Sequence, residues 1–351
     1  GSYKAVLDFD IDKFTVPMFG GFDGFDITEK DPFRNTAMTS ATEFNNYAYN
    51  SIKEAVDIIS DAESIDMNLA AIPGIYNSSL TQHLIDTCED RGDALAIIDL
   101  EGDFKPAAES TDTFKTRVDN ATVTTTVNTL KDRSIDSSYA AAYFPWVQIL
   151  DPIADRLVYT PPSVVALGTI SNSENKSELW FAPAGFNRGG LTSGAAGVPV
   201  VGITQKLTSK QRDTLYEANI NPIASFPSEG IVVFGQKTLQ ITPSALDRIN
   251  VRRLLIFLKK EVSRIANGIL FDQNVQVTWN RFTGKIEPFL RSVQTGLGLT
   301  EFKVVLDSAT TTPDLIDRNV LYAKIFLKPA RAIEYIAIDF NISNTGAAFD
   351  D

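Results

Sequence analysis

The sequence predicts an α/β protein, with a mixed or largely parallel sheet flanked by helices, and a C-terminal α+β domain that ends in a β-hairpin. Three observations predict this class. Residues 69–100 show the order strand, loop, helix, strand, which is typical of a parallel sheet. From about residue 240 the pattern changes to long amphipathic helices. The stretch 321–343 then holds two apolar runs on either side of Lys328-Pro329-Ala330-Arg331.

The elements before residue 150 alternate between helix and strand. Apolar residues in 45–60 recur every three or four positions, which predicts an amphipathic helix. The apolar run 94–100 is continuous, as expected of a strand buried on both faces. The predicted elements of this part are a helix at 45–60, a strand at 69–72, a helix from the Asn77 cap to about 90, a strand at 94–100, a mainly helical segment at 113–130 and a strand at 138–149 interrupted by Pro145.

The elements after residue 150 include two helices with clear start signals. Pro161-Pro162 suits the first turn of one helix, and Thr208 suits the cap of another. Residues 179–202 are too rich in Gly and Ala to predict regular structure. The remaining predicted elements are two strands around the turn 227–230, helices over 240–298 with a break near 268–274, and strands at 302–306, 320–327 and 331–343.

Composition limits the classes of protein that fit. The chain has 351 residues, enough for two or three domains, and a net charge of −12. Residues 1–110 carry 21 Asp and Glu against 7 Lys and Arg, which argues against nucleic-acid binding by this part. This asymmetry suits charge-complementary self-association, or simply solubility. No apolar run approaches the length of a membrane span, so no membrane insertion is expected.

The sequence offers little for catalysis, and no cofactor or metal is expected. A serine hydrolase needs a G-x-S-x-G elbow, which is absent, and a histidine base. The only histidine, His83, falls inside a predicted helix, and the only cysteine, Cys88, fits a small core residue. The run GGFDGFD at 20–26 lacks the Lys-Ser/Thr of a phosphate loop and fits turn glycines. Asp8, Asp10 and Asp12 share one strand face and could bind a hard cation or simply be solvated.

The helix predicted at 247–266 is unusually cationic for this acidic chain. Its six basic residues face two acidic ones, and its apolar residues are too many for one narrow stripe. A buried side and a cationic ridge are therefore expected, with a solvated surface helix as the plainer interpretation. The ridge predicted to contact an acidic partner comprises Arg248, Arg252, Arg253, Lys259, Lys260 and Arg264.

Eight segments occur along the chain in a recognisable order. They are FTVPMFGGFDGFDI, IDMNLAAIPGI, DALAIIDLEG, YAAAYFPWVQI, PPSVVALG, LWFAPAGFNRGG, RINVRRLLIFLKKEV and PARAIEYIAIDFNIS. Taken together, these segments resemble the contractile tail sheath proteins, which wrap the tail tube of myovirus-type bacteriophages and have relatives in R-type pyocins and type VI secretion. The resemblance runs from about Phe14 to the end of the sequence.

The resemblance implies a subtilisin-like α/β domain without catalytic residues, and a C-terminal domain near the tube. The implied division is a strand or linker at 1–20, the α/β domain at 21–238 and the C-terminal domain at 239–351. No N-terminal arm with a proline-glycine opening precedes Tyr3, so the sequence is expected to be a fragment. Arms of this family add strands to neighbouring subunits. The segment expected to do so comprises Ile333, Glu334, Tyr335, Ile336, Ile338, Phe340 and Ile342.

The implied function is that of a structural subunit, not an enzyme. It would polymerise helically around the tail tube and contract to drive the tube through the host envelope. The implied partners are identical subunits, the tube protein, the baseplate and the tail terminator, in a virion assembled in the host bacterial cytoplasm. The alternatives are an α/β hydrolase or metal-dependent enzyme, and a carbohydrate-binding adhesin with Trp146, Trp180 and Trp279 as exposed platforms.

Overall fold

The computed structural model describes residues 35, 38, 46–102, 122–153 and 155–335. Several predictions fall outside the described residues. They concern the aspartates Asp8, Asp10 and Asp12, the run 20–26, the first half of the helix predicted at 113–130, the missing N-terminal arm, and the arm residues Ile336, Ile338, Phe340 and Ile342.

The described residues form helices and strands that alternate as far as the third strand and then follow in a mixed order. In chain order, the strands are β1 (Leu69–Ala71), β2 (Leu95–Ile98), β3 (Ala140–Phe144), β4 (Val147–Asp151), β5 (Arg156–Thr160), β6 (Val200–Ile203), β7 (Ile220–Phe226), β8 (Gly230–Val233), β9 (Leu299–Val305) and β10 (Lys324–Pro329). The helices are α1 (Tyr47–Ile58), α2 (Ser78–Arg91), α3 (Val123–Asp132), α4 (Pro162–Lys176), α5 (Gly185–Arg188), α6 (Ser209–Glu217), α7 (Ile249–Asn267), α8 (Gln276–Thr295) and α9 (Pro313–Asp317).

A five-stranded sheet with the order β1–β2–β3–β7–β8 lies at the centre. The first four strands pair in parallel, and β8 returns antiparallel to β7. All residues of β2 and β3 are buried, as the unbroken apolar runs predict. The mixed, mainly parallel sheet predicted from the sequence is therefore confirmed, together with the strands on either side of Pro145 and of the turn at 227–230.

Helices cover both faces of this sheet because alternate strand residues point to opposite sides. On one side Ala96 and Ile98 join a core with α2, α3 and α6. On the other side Leu95 and Ile97 join a core with α4 and the first half of α7. The predicted helix starts are confirmed: the Asn77 side chain accepts from the Leu80 amide, Thr208 forms a capping box with Gln211, and Pro162 opens α4.

A small antiparallel sheet, β5–β4–β6, borders the central one. It includes residues from the Gly/Ala-rich segment 179–202, which also forms the short helix α5, so that segment is more regular than its composition predicts. Close packing explains part of the composition. A Cβ on Gly168 of α4 would lie 2.0 Å from the carbonyl oxygen of Ala196, so only glycine fits there.

The C-terminal unit combines α7 and α8 with the antiparallel pair β9–β10. Helix α7 packs into two cores: Ile249 and Ile256 contact the central sheet, whereas Leu254 and Leu258 pack with α8. The helices α7 and α8 and the break between them agree with the sequence pattern. The domain boundary at 238/239 remains a prediction.

The hairpin predicted at the end of the chain is not confirmed. Lys328 and Pro329 do not form a turn; they continue β10, which pairs antiparallel with β9. Residues 320–323 are not part of the strand, and residues 331–335 form no strand in the structure. The pairing was missed because the paired residues lie far apart in the chain, from 19 positions for Val305 and Lys324 to 30 for Leu299 and Pro329, a distance that local pattern analysis does not detect.

Candidate functional site at the base of the C-terminal segment

Two of the predicted ridge cations lie inside the protein. Arg253 pairs with Glu174 (Nη2 to Oε2, 2.7 Å) and donates to the Leu179 carbonyl oxygen at 3.3 Å. Arg252 stacks over the Tyr139 ring at 3.9 Å and donates to the Ser138 hydroxyl. Burial lowers the pKa of both guanidinium groups. Both still carry a charge at neutral pH, because the ordinary pKa of arginine lies far above 7. These two cations therefore join α7 to the α/β body.

The other cations of α7 differ in exposure. Lys260 donates to the Asp66 carboxylate and to the Met67 carbonyl oxygen, each at 2.6 Å. Lys259 and Arg264 are exposed, and Arg264 has only the neighbouring Glu261 at 3.1 Å. The helix thus does not present one continuous ridge on the isolated chain. The predicted contact of these residues with a tube or a neighbour remains a prediction.

Arg248, just before α7, lies against the predicted arm. Its Nε and Nη2 atoms donate to the two oxygens of Glu334 at 2.6 and 2.9 Å, which is the bidentate geometry of a strong ion pair. Gln236 adds a longer hydrogen bond to Glu334 at 3.3 Å, and Asp247 lies 3.1 Å from the Arg248 guanidinium. Desolvation opposes the charge of Arg248, but the contacts with Glu334, Tyr216 and Asp247 outweigh it, so the pKa of Arg248 is raised.

The pair holds the segment 331–335 along the rim of a groove of about 640 Å³. Ile333 and Tyr335, on either side of Glu334, expose 83% and 81% of their surface. The structure therefore brings together two sets of residues predicted separately: the first ridge cation and the first arm residues. A fixed carboxylate between two exposed apolar side chains suits a segment that leaves the body at this point to bind elsewhere.

An aromatic cluster that sequence analysis missed lies beside the groove. Phe186, Phe226 and Phe234 have ring centroids 5.0 to 5.7 Å apart, and Arg212 lies 5.1 Å over the Phe226 ring. Phe186 and Phe234 are about half exposed. These residues come from different elements, so no local pattern could have indicated them. The one sequence signal was Phe186 itself, a large aromatic residue in a segment otherwise rich in Gly and Ala.

The titratable residues His83, Cys88 and Asp99 are each ion-paired, buried or hydrogen-bonded within the fold. His83 pairs with Asp57 at 2.6 Å on the surface, and Cys88 is fully buried, which raises the pKa of its thiol to about 12. Asp99 is fully buried, and it accepts hydrogen bonds from the Gly74 amide and from the amide and hydroxyl of Ser163. Burial outweighs these bonds and raises its pKa to about 6. Among the described residues, no cluster of His, Cys, Asp and Glu could hold a metal ion.

The tryptophans do not form the platforms that an adhesin would need. Trp146 and Trp279 are buried, and their indole nitrogens donate to the Leu100 carbonyl oxygen and to Asn274. Trp180 is partly buried and donates to the Gly296 carbonyl oxygen at 2.7 Å. No described helix is long and apolar enough to span a membrane.

The fold and the groove together define a class: an α/β body joined to a C-terminal helical unit, with residues 331–335 held along the rim of the groove by the Arg248–Glu334 pair. Comparison with known proteins identifies the class. Residues 242–343 match the family described as phage tail sheath C-terminal domain. The tail sheath protein of Enterobacteria phage T4 is 30% identical over 306 residues, which are 86% of this chain and 45% of that protein. That of Vibrio phage KVP40 is 35% identical over 66% of this chain and 32% of its own length.

Solved structures share the fold. The contracted sheath complex of the extracellular contractile injection system PVC superposes with a TM-score of 0.64 at 21% identity, covering 82% of this chain and 74% of the other. The contracted helical sheath of the anti-feeding prophage gives 0.61 at 20% identity, covering 83% and 73%. The chain is thus a relative of the contractile tail sheath proteins, and residues 242–343 belong to their C-terminal domain family. It spans less than half the length of the curated relatives it matches.

Proposed function

We propose that this chain is a structural subunit of a contractile phage tail sheath. The subunits polymerise helically around the tail tube, and contraction drives the tube through the host envelope. The observation that carries the proposal is the arm base: Glu334 is fixed by Arg248, and apolar side chains exposed on both sides of it lead into residues 336–343. The sequence relationship to tail sheath proteins supports the same conclusion.

The proposed link between subunits is strand addition. Ile336, Ile338, Phe340 and Ile342 alternate in the sequence, so an extended segment would place them on one face. The pair β9–β10 has a free edge on each strand in the described chain, where backbone groups of another copy could pair. The arm of one subunit would thus extend the sheet of its neighbour, and the strand linkage would act as a hinge while rigid bodies repack on contraction.

The further partners follow from the same role. The tube, the baseplate and the tail terminator contact a sheath in a virion, and assembly takes place in the cytoplasm of the host bacterium. No catalytic centre, cofactor or nucleic acid takes part in the proposed function. Of the predicted ridge, Lys259 and Arg264 are the cations whose exposure suits contact with an acidic tube or neighbour. We also propose that the α/β body is related to the subtilisin fold, without its catalytic residues.

The test removes the arm. Deleting residues 333–351 from the full-length protein is expected to abolish sheath polymers in negative-stain electron microscopy, while circular dichroism shows a folded monomer. A second variant, Lys259→Glu with Arg264→Glu, keeps the arm. It should still polymerise through the arm, but it should assemble less well around tubes. Normal long sheaths from the deletion would refute the strand-exchange role, and unchanged assembly of the charge-reversed protein would reject the cation contact.

A further inference from the structure

The turn between α7 and α8 presents a large apolar side chain to solvent. The Phe271 ring is fully exposed, and the adjacent Leu270 exposes 63% of its surface. The backbone of Phe271 has φ +68°, in the left-handed region that bulky residues avoid. An exposed aromatic ring on an unfavourable backbone has no benefit for the isolated chain, so it indicates a contact made elsewhere.

The turn is held by contacts of the residues that directly follow this ring in the chain. Arg281 pairs with Asp272. Asn274 donates to the Val320 carbonyl oxygen at 3.1 Å and accepts from the Trp279 indole nitrogen at 2.7 Å. Because the backbone around Phe271 is already fixed, little conformational freedom is lost when the ring binds. Phe271 is therefore a preformed anchor.

A pocket of suitable size lies elsewhere on the chain, where α7 and β10 meet Gly92 and the stacked pair Tyr139 and Arg252 of the α/β body. It has a volume of about 300 Å³ between α7 and β10, and its apolar wall is formed by the half-buried side chains of Leu255, Val262, Ile325 and Leu327. Cavities of about 150 Å³ with apolar walls hold a benzene molecule, so a phenylalanine ring fits. The exposed Lys259 lies at the rim.

We propose that Phe271 of one copy of this chain enters the pocket beside Val262 of a second copy. The anchor and the pocket are different surfaces of one chain, so the contact is head-to-tail and can repeat without closing, as in a helical polymer. Charge is compatible with the same pairing, because the Asp272 carboxylate stays 38% exposed beside Arg281 and can also meet Lys259 at the pocket rim. The inference deepens the proposed function by adding a contact that does not involve the arm.

The chain is well suited to a disulfide test. The one cysteine of this sequence, Cys88, is fully buried, and any cysteine elsewhere in the full-length protein is first replaced by serine. The full-length protein carrying both Phe271→Cys and Val262→Cys is assembled into sheaths, oxidised and run on a non-reducing denaturing gel. The expected result is a ladder of covalent multimers, because each chain can bond to one neighbour on each side. The matched control pairs Val262→Cys with Ile153→Cys. Ile153 lies between β4 and β5, and 96% of its surface is exposed.

Each outcome decides the matter. A ladder from the first pair and none from the control supports the contact. Sheaths without a ladder overturn it and leave the proposed function intact. A ladder from the control as well shows random collision and overturns it. Cross-linking of Phe271→Cys to a cysteine placed on the tube protein, with no ladder, assigns the anchor to the tube instead. Failure of the wild-type protein to form sheaths overturns the proposed function, and with it the contact that rests on it.

Discussion

Replacing Glu334 by Gln is expected to detach the base of the arm without unfolding the body. The substitution removes the charge that receives two hydrogen bonds from Arg248 and one from Gln236. Glu334 exposes 17% of its side chain and Arg248 25%, so the pair lies between the exposed and buried limits. Exposed pairs contribute about 0–1 kcal/mol, and breaking a buried one costs about 3–5 kcal/mol.

The remaining contacts reduce the expected cost. Asp247 stays 3.1 Å from Arg248 and partly compensates its charge after the substitution. We therefore expect the docked arm base to lose about 1–2 kcal/mol, which raises its detached population about 5- to 30-fold. Trypsin cleavage after the exposed Arg331 measures that population, provided that detachment is faster than cleavage. The released peptide is quantified by mass spectrometry.

Two comparisons make this experiment decisive. Arg318→Gln breaks the pair with Asp314, in which both side chains are at least 70% exposed, and should leave cleavage after Arg331 unchanged. In a double-mutant cycle with Arg248→Met, the two substitutions should be strongly non-additive. Additivity within about 0.3–0.5 kcal/mol, or an unchanged cleavage rate for Glu334→Gln, would show that the ion pair does not hold the arm.

Four further predictions concern single side chains of the α/β body and of α8. Burial raises the pKa of Asp99 to about 6, so between pH 4 and 6 the folded state binds a proton that the unfolded state does not, and this stabilisation is lost as pH rises through that window. The free energy of unfolding should therefore fall with rising pH by on the order of 3 kcal/mol, and urea denaturation of Asp99→Asn should lack this dependence. Hydrogen bonds from the Glu63 backbone and the Ser64 side chain lower the pKa of Asp61, so its contribution to the free energy of unfolding should rise with pH, opposite to that of Asp99. The same sign of pH dependence at both aspartates would contradict these directions. Glu174→Gln should destabilise the chain by about 1–3 kcal/mol in urea, because it leaves the buried Arg253 with weaker compensation; no change would mean that this cation does not help to join α7 to the body. Ile286→Ala, at a fully buried position, should cost about 2–5 kcal/mol, and a loss below 1 kcal/mol would contradict the described packing of α8.

Elements governed by local signals were predictable from the sequence. The unbroken apolar runs of β2 and β3, the Asn77 and Thr208 caps and the proline start of α4 each have a physical cause within a few residues. The end of the chain was not predictable in this way. Strand β10 continues through Lys328 and Pro329, where a turn was predicted, and it pairs with β9. The pairing of distant strands leaves no local signature.

The candidate site was predictable only in part. Sequence analysis singled out Arg248 and Glu334 for separate reasons, and the structure joins them in one ion pair. It could not distinguish the buried Arg252 and Arg253 from the exposed Lys259, because all belong to one helix with apolar residues on most of its circumference. Which cation faces inward depends on Tyr139 and Glu174, more than 70 residues earlier.

The most direct measurement of subunit linkage uses sheaths assembled from an equal mixture of nitrogen-14 and nitrogen-15 protein. Lysines introduced at Asp339 and Asn341, which alternate with the apolar face of the segment, are cross-linked to lysines of the β9–β10 pair, and the peptides are weighed. If arms pass between subunits, about half of these links should join a light peptide to a heavy one. Links that join only light to light and heavy to heavy would mean that the segment stays on its own chain, and would contradict the account.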